Sequence, residues 1–169
     1  LYTFIKRTAP FAMFSTFDAP SGEACIANRD RSNSPLQALT MLNDVMLMEL
    51  AQKAGESVVE DSTLTDTASR IDNLFRRTMV RLPNADELKL LQTFFEEQKL
   101  HFATNPKQAA DFTGQKLADV KLQSGDVAQT DDINPQSTTS DSDNLLAEQA
   151  AWTATARAVF GLDESLTRE

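Results

Sequence analysis

"NSPLQALTMLNDVMLMELAQKAG", residues 33–55, decides the fold class. Ser34 is a good N-cap, and Pro35 takes the first helical position, where its missing N–H costs nothing. Gln37 completes an S-x-x-Q capping box. Apolar residues then recur at Leu36, Leu39, Leu42, Met46 and Leu50, a helical spacing, and Met41, Val45, Leu47 and Met48 widen the stripe. The pattern predicts one long helix buried on more than one side and ended by Gly55 as its C′ residue. The methionines read as core filling rather than as soft-metal or haem ligands.

The same start grammar recurs downstream. "TLTDTASRIDNLFRRTMVRLP" (63–83) predicts a helix capped by Thr63, with Asp66 at N3 and Pro83 closing it. Its apolar stripe is Ile71, Leu74, Phe75 and Met79, while Arg70, Arg76, Arg77 and Arg81 make the other face basic. "NADELKLLQTFFEEQKLHF" (84–102) restarts at once with Asn84 as cap and Glu87 as its N3 partner. Leu88, Leu91, Phe94, Phe95 and Phe102 form its apolar side. Asn105, Pro106 and Gln108 open a further short helix. The last helix, from 144, has Leu145, Gln149, Trp152, Ala156 and Val159 along one face, with alanines that allow close packing. Gly161 breaks it, and Leu162 and Leu166 tuck the tail back.

No segment alternates convincingly as a strand. The expectation is an all-α fold, an irregular bundle of about five helices, with 1–169 as a single domain. Ahead of residue 33, Phe11, Phe14 and Phe17 at spacing three, with Tyr2 and Phe4, read as core anchors. Residues 119–144 lose all periodicity and hold six aspartates and one lysine, which predicts a flexible acidic surface loop. Clustered Asp suits calcium, yet the D-x-[DN]-x-[DN]-G frame is absent.

Composition narrows the function. At 41% hydrophobic the chain can bury a real core. Net charge is −9, which argues against a nucleic-acid binder, since that needs a basic surface. No run of ~18 apolar residues predicts membrane insertion. The single cysteine, Cys25, cannot form an internal disulfide and reads as a buried small hydrophobe, with a free thiol as the alternative. No C-x-x-C-H occurs, so no c-type haem attaches to this chain, and one His and one Cys fall short of a zinc set. His101, the sole histidine, reads as a helix-end cation.

The remaining polar chemistry is concentrated in one loop. Asp18, Glu23, Arg29, Asp30 and Arg31 place both charge signs within 14 residues. The favoured reading is a structural staple, with Arg29 and Arg31 forked onto Asp163, Glu164 or Glu169 of the tail. The alternative makes the five residues a carboxylate–guanidinium pocket of a hydrolase-like or carbohydrate-related enzyme.

"LYTFIKRTAP" (1–10), "FDAPSGEACIANRDRSNSPLQALTMLND" (17–44) and "GLDESLTRE" (161–169) together resemble the planctomycete-specific domain one, a domain of unknown function. Ser32 and Ser34 stand where Thr is usual in that family, and Gly161 where Asn is usual. The resemblance implies the C-terminal part of a secreted or periplasmic multidomain cytochrome-c-type protein, with haem on an upstream domain and upstream domains as partners. It supplies no catalytic residue. An acidic docking domain for an electron-transfer partner is a further alternative, through the loop at 119–144.

Overall fold

The computed structural model describes residues 11–20, 25, 27–28, 32–114 and 138–166, without the side chains of 138–142, 163 and 166. These residues form eight helices: α1 (Ala12–Thr16), α2 (Pro35–Asn43), α3 (Val45–Glu60), α4 (Thr67–Met79), α5 (Ala85–Thr104), α6 (Pro106–Thr113), α7 (Thr138–Phe160) and α8 (Asp163–Leu166). Among the described residues there is no strand, so the chain is all-α.

Five helices, α3 to α7, supply the buried apolar side chains of the described residues. α7 is the axis. Every residue from Ala150 to Ala156 is buried, so this stretch is wrapped on all sides by α3, α5 and α6. Its alanines let neighbouring backbones come close, and the buried hydroxyls of Thr153 and Thr155 donate back to the carbonyls of Gln149 and Ala151. Trp152 stacks on Phe95 of α5 at 4.2 Å between ring centroids. The stripe Ile71, Leu74, Phe75 and Met79 of α4 is buried as predicted, as are Leu91, Phe95 and Phe102 of α5.

Several expectations are corrected. The helix over 33–55 is two helices. Asp44 is extended (φ −70°, ψ 131°) and caps α3 by accepting from the N–H groups of Met46 and Leu47. Gly55 is no C′ residue but lies buried inside α3 against α7. α4 starts after Asp66, because Thr63 donates to the Asp61 carboxylate in a turn instead of capping. It ends at Val80 in the left-handed region (φ 63°), ahead of Pro83. α7 begins at Thr138, so 138–144 is helical rather than loop. Asp143, in its second turn, lies toward the positive end of the helix dipole. The rest of the expected loop, 119–137, lies outside the described residues. Leu145 is exposed, since burial on α7 starts one residue later at Leu146, and Leu162, beyond the end of α7, is exposed as well. Of the expected aromatic anchors, Phe11 is half exposed, edge-on to Phe14 at 5.7 Å, Phe14 and Phe17 are part-buried, and Tyr2 and Phe4 lie outside the described residues.

Candidate functional site

α2 inverts the usual rule. Its one buried residue is polar Gln37, 2% exposed, while Leu36, Leu39 and Leu42 face outward. The capping box forms as predicted: Gln37 N donates to Ser34 Oγ, and Ser34 N donates to Gln37 Oε1. The side-chain amide of Gln37 then reaches back 21 residues. Its Nε2 donates to the Thr16 carbonyl at 2.8 Å and to Ser32 Oγ at 3.2 Å, with Asp18 Oδ2 at 3.3 Å. Ser32 in turn donates both N–H (2.8 Å) and O–H (2.6 Å) to Asp18 Oδ2.

Asp18 sits at φ 54°, a left-handed position that Asp tolerates better than most side chains. Of the five predicted site residues, only Asp18 falls among the described ones, and its carboxylate is engaged as a staple. Glu23, Arg29, Asp30 and Arg31 lie outside the described residues.

Glu164 of the tail pairs with Arg81, while its expected partners Arg29 and Arg31 lie outside the described residues. Arg81 donates through Nε and Nη2 to both carboxylate oxygens of Glu164 and, through Nη1 and Nη2, to both oxygens of Glu87. Its guanidinium also lies 4.9 Å from the Phe75 ring centroid. The Arg81 hydrogen bonds hold the Glu87 carboxyl down at about 2, helped by the Asn84 N–H. Arg81 itself is raised further by the two glutamates. This clasp joins the end of α4, the start of α5 and α8. In the sequence Arg81 reads only as part of the basic face of α4.

The largest discrepancy lies in the stripe that led the reading. Leu36, Leu39, Leu42, Met46 and Leu50, the predicted core face, are each 44–59% exposed, and Val45 is 73% exposed. α3 buries Ala51, Gly55 and Val58 instead. Neither Met41 nor Met48 reaches the core and Met46 is exposed, so these three methionines are not core filling. Cys25 is also exposed rather than buried.

This apolar face runs into a cleft of about 1010 Å³. Leu42, Val45 and Met48 form one wall, with Phe94, Phe102 and Phe112 opposite. Arg157 of α7 crosses it. Its Nη2 donates to the Leu42 carbonyl at the end of α2, where helix carbonyls lack partners. Its guanidinium stands 5.7 Å from the Phe112 ring centroid. Its buried Nε has no partner among the described residues. His101, in the last turn of α5 as expected, also lines the cleft and pairs through Nε2 with Gln108 at 3.1 Å. Glu49 and Asp111 line it too. Among the described residues no group of three or more His, Cys, Asp or Glu is placed to hold a metal ion. No helix among them is long and apolar enough to cross a membrane.

A family model described as PSD1, a protein of unknown function (DUF1553), matches residues 1–95. The match takes in the Asp18–Ser32–Gln37 staple, α2, α3, α4 and the first half of α5. It ends before α7 and the closing 161–169 stretch. No curated protein and no solved structure matches the chain.

Proposed function

We propose, starting from the fact that this chain belongs to the PSD1 family of proteins of unknown function, that it is a non-catalytic helical interaction module. Its α2–α3 leucine face docks on a neighbouring domain of the same polypeptide, in a secreted or periplasmic multidomain protein. One observation carries the reading: a stripe with helical periodicity from Leu36 to Leu50 faces outward although the core is already complete without it. Water-facing leucines at regular spacing are the signature of a surface that is covered in use. The staple fits the same role. It fixes α2 by its polar side, through Gln37, so that the apolar side stays presented. The extracytoplasmic setting and any haem on an upstream domain rest on the resemblance alone.

Fluorescence of a hydrophobic dye tests the role. The chain alone is expected to bind dye strongly, and a Leu39→Ser/Met46→Ser variant weakly. The chain within its full-length polypeptide is expected to bind little. Equally low dye binding by the chain alone and within the full-length protein removes the proposal.

A further inference from the structure

Resting on the docking role above, we infer the chemistry of the occupant: an amphipathic helix, apolar on one side and flanked by lysine or arginine, lying along α2 and the start of α3 with its basic flank at the cleft. Shape supplies the first argument. α2 carries Leu36, Leu39 and Leu42 and the start of α3 carries Val45, Met46 and Leu50, each over roughly 10 Å at 1.5 Å per residue. Leu42 and Val45 belong both to that surface and to the cleft wall. An elongated face of this kind suits an occupant that presents its own residues at i, i+3, i+4 and i+7.

Charge supplies the second argument. α2 carries no charged residue. Among the described residues four charged or titratable groups line the cleft: Glu49, Asp111, Arg157 and His101. Arg157 is turned inward onto the Leu42 carbonyl and the Phe112 ring, and His101 is bonded to Gln108. Among the described residues the carboxylates of Glu49 and Asp111 have neither hydrogen bond nor ion pair. The two exposed carboxylates outnumber the one guanidinium, which is turned inward, so the mouth of the cleft is net negative. Cationic side chains answer that charge by pairing with it. A second copy of this face would bring the same two unpaired carboxylates and, among the described residues of the cleft, no outward-turned cation to answer them.

Two labelled synthetic 18-residue helices test this, one of leucine and lysine and one of leucine and glutamate, by fluorescence anisotropy at physiological ionic strength. The lysine helix is expected to bind and the glutamate helix to bind at least tenfold more weakly. Glu49→Gln/Asp111→Asn should weaken the lysine helix roughly fivefold, as two partly screened pairs allow. Glu96→Gln/Glu97→Gln, which removes two exposed charges outside the cleft, should leave it unchanged. Equal effects of the two double variants would show attraction to net charge alone and overturn the inference, as would equal binding of the two helices. Dimerisation of the chain through this face, read by sedimentation, overturns it in favour of a second copy. If neither helix binds while the full-length protein still hides the face from dye, the occupant is wrong and the docking role stands.

Discussion

Gly55 of α3 lies against the backbone of Thr153 of α7: a methyl group on Gly55 would stand 2.8 Å from both the nitrogen and Oγ1 of Thr153. Gly55→Ala therefore sets two effects in opposition. Alanine favours the helix by about 1 kcal/mol. Forcing a methyl into a packed interface costs about 1–3 kcal/mol, toward the upper end when the obstacle is backbone. The expected result is a net loss of about 1–2 kcal/mol in urea unfolding followed by the fluorescence of buried Trp152. Thr153→Ala should not rescue it, because the backbone nitrogen remains. A variant as stable as the parent would show that the two helices stand further apart.

Gln37 joins three segments, and its replacement tests the staple. Gln37→Glu keeps the shape but removes the donor to the Thr16 carbonyl and to Ser32. It also sets a carboxylate beside Asp18, whose Oδ2 is 3.3 Å from the replaced nitrogen. The expected cost is about 2–3 kcal/mol, the range for leaving buried groups unpaired. Amide exchange reads it locally. The Ala19 N–H, bonded to the Phe14 carbonyl at 2.8 Å, should lose protection while α7 amides keep theirs. Unchanged protection at Ala19 would separate the 11–20 segment from this hub.

Both capping boxes were legible because they are local: Ser34 with Gln37 and Asn84 with Glu87 need only four residues each. The α4 stripe was legible because it is narrow and its other face is basic. What failed depended on distant partners. Gly55 looks the same in sequence whether it ends a helix or admits Thr153 from nearly a hundred residues away. The stripe from Leu36 to Leu50 has core periodicity, but periodicity reports that a face is apolar, not whether the fold covers it. The α2–α3 break is hidden in the sequence because Asn43 and Asp44 interrupt an apolar run that continues on both sides. At the candidate site, Asp18 was picked out for its charge, but its partners Ser32 and Gln37 read only as motif and cap residues.

The clasp on Glu87 predicts a dependence on acid. Its carboxyl is held at about 2, mainly by hydrogen bonds from Arg81, against 4.5 when unfolded. A group with a depressed folded pKa stabilises the protein above its unfolded value, and that contribution is lost as pH falls through the folded one. It should therefore be complete above about pH 4.5 and disappear on the way down to about pH 2. Glu87→Gln should cost about 1 kcal/mol at pH 7, a figure kept small because the pair is partly in water. It should cost nothing near pH 2. Thermal unfolding of both proteins from pH 2 to pH 7 checks this. Parallel curves across that window would mean that Arg81 does not grip Glu87 in solution.

Exposure makes opposite predictions for two apolar residues of helical stripes. Phe95 is 2% exposed and lies on Trp152, so Phe95→Ala removes the partner of the central ring and leaves a void. Such truncations cost about 3–5 kcal/mol. Leu39 belongs to the stripe that looked most like core, yet it is 57% exposed. Leu39→Ser should change stability by no more than about 0.5 kcal/mol, as at other surface positions. The same variant should lose hydrophobic-dye binding, which Phe95→Ala, if anything, would raise by loosening the core. Thermal unfolding and dye titration on the two variants make the comparison. A Leu39→Ser variant that unfolds as easily as Phe95→Ala would place the leucine stripe inside the fold and leave no apolar face for a partner.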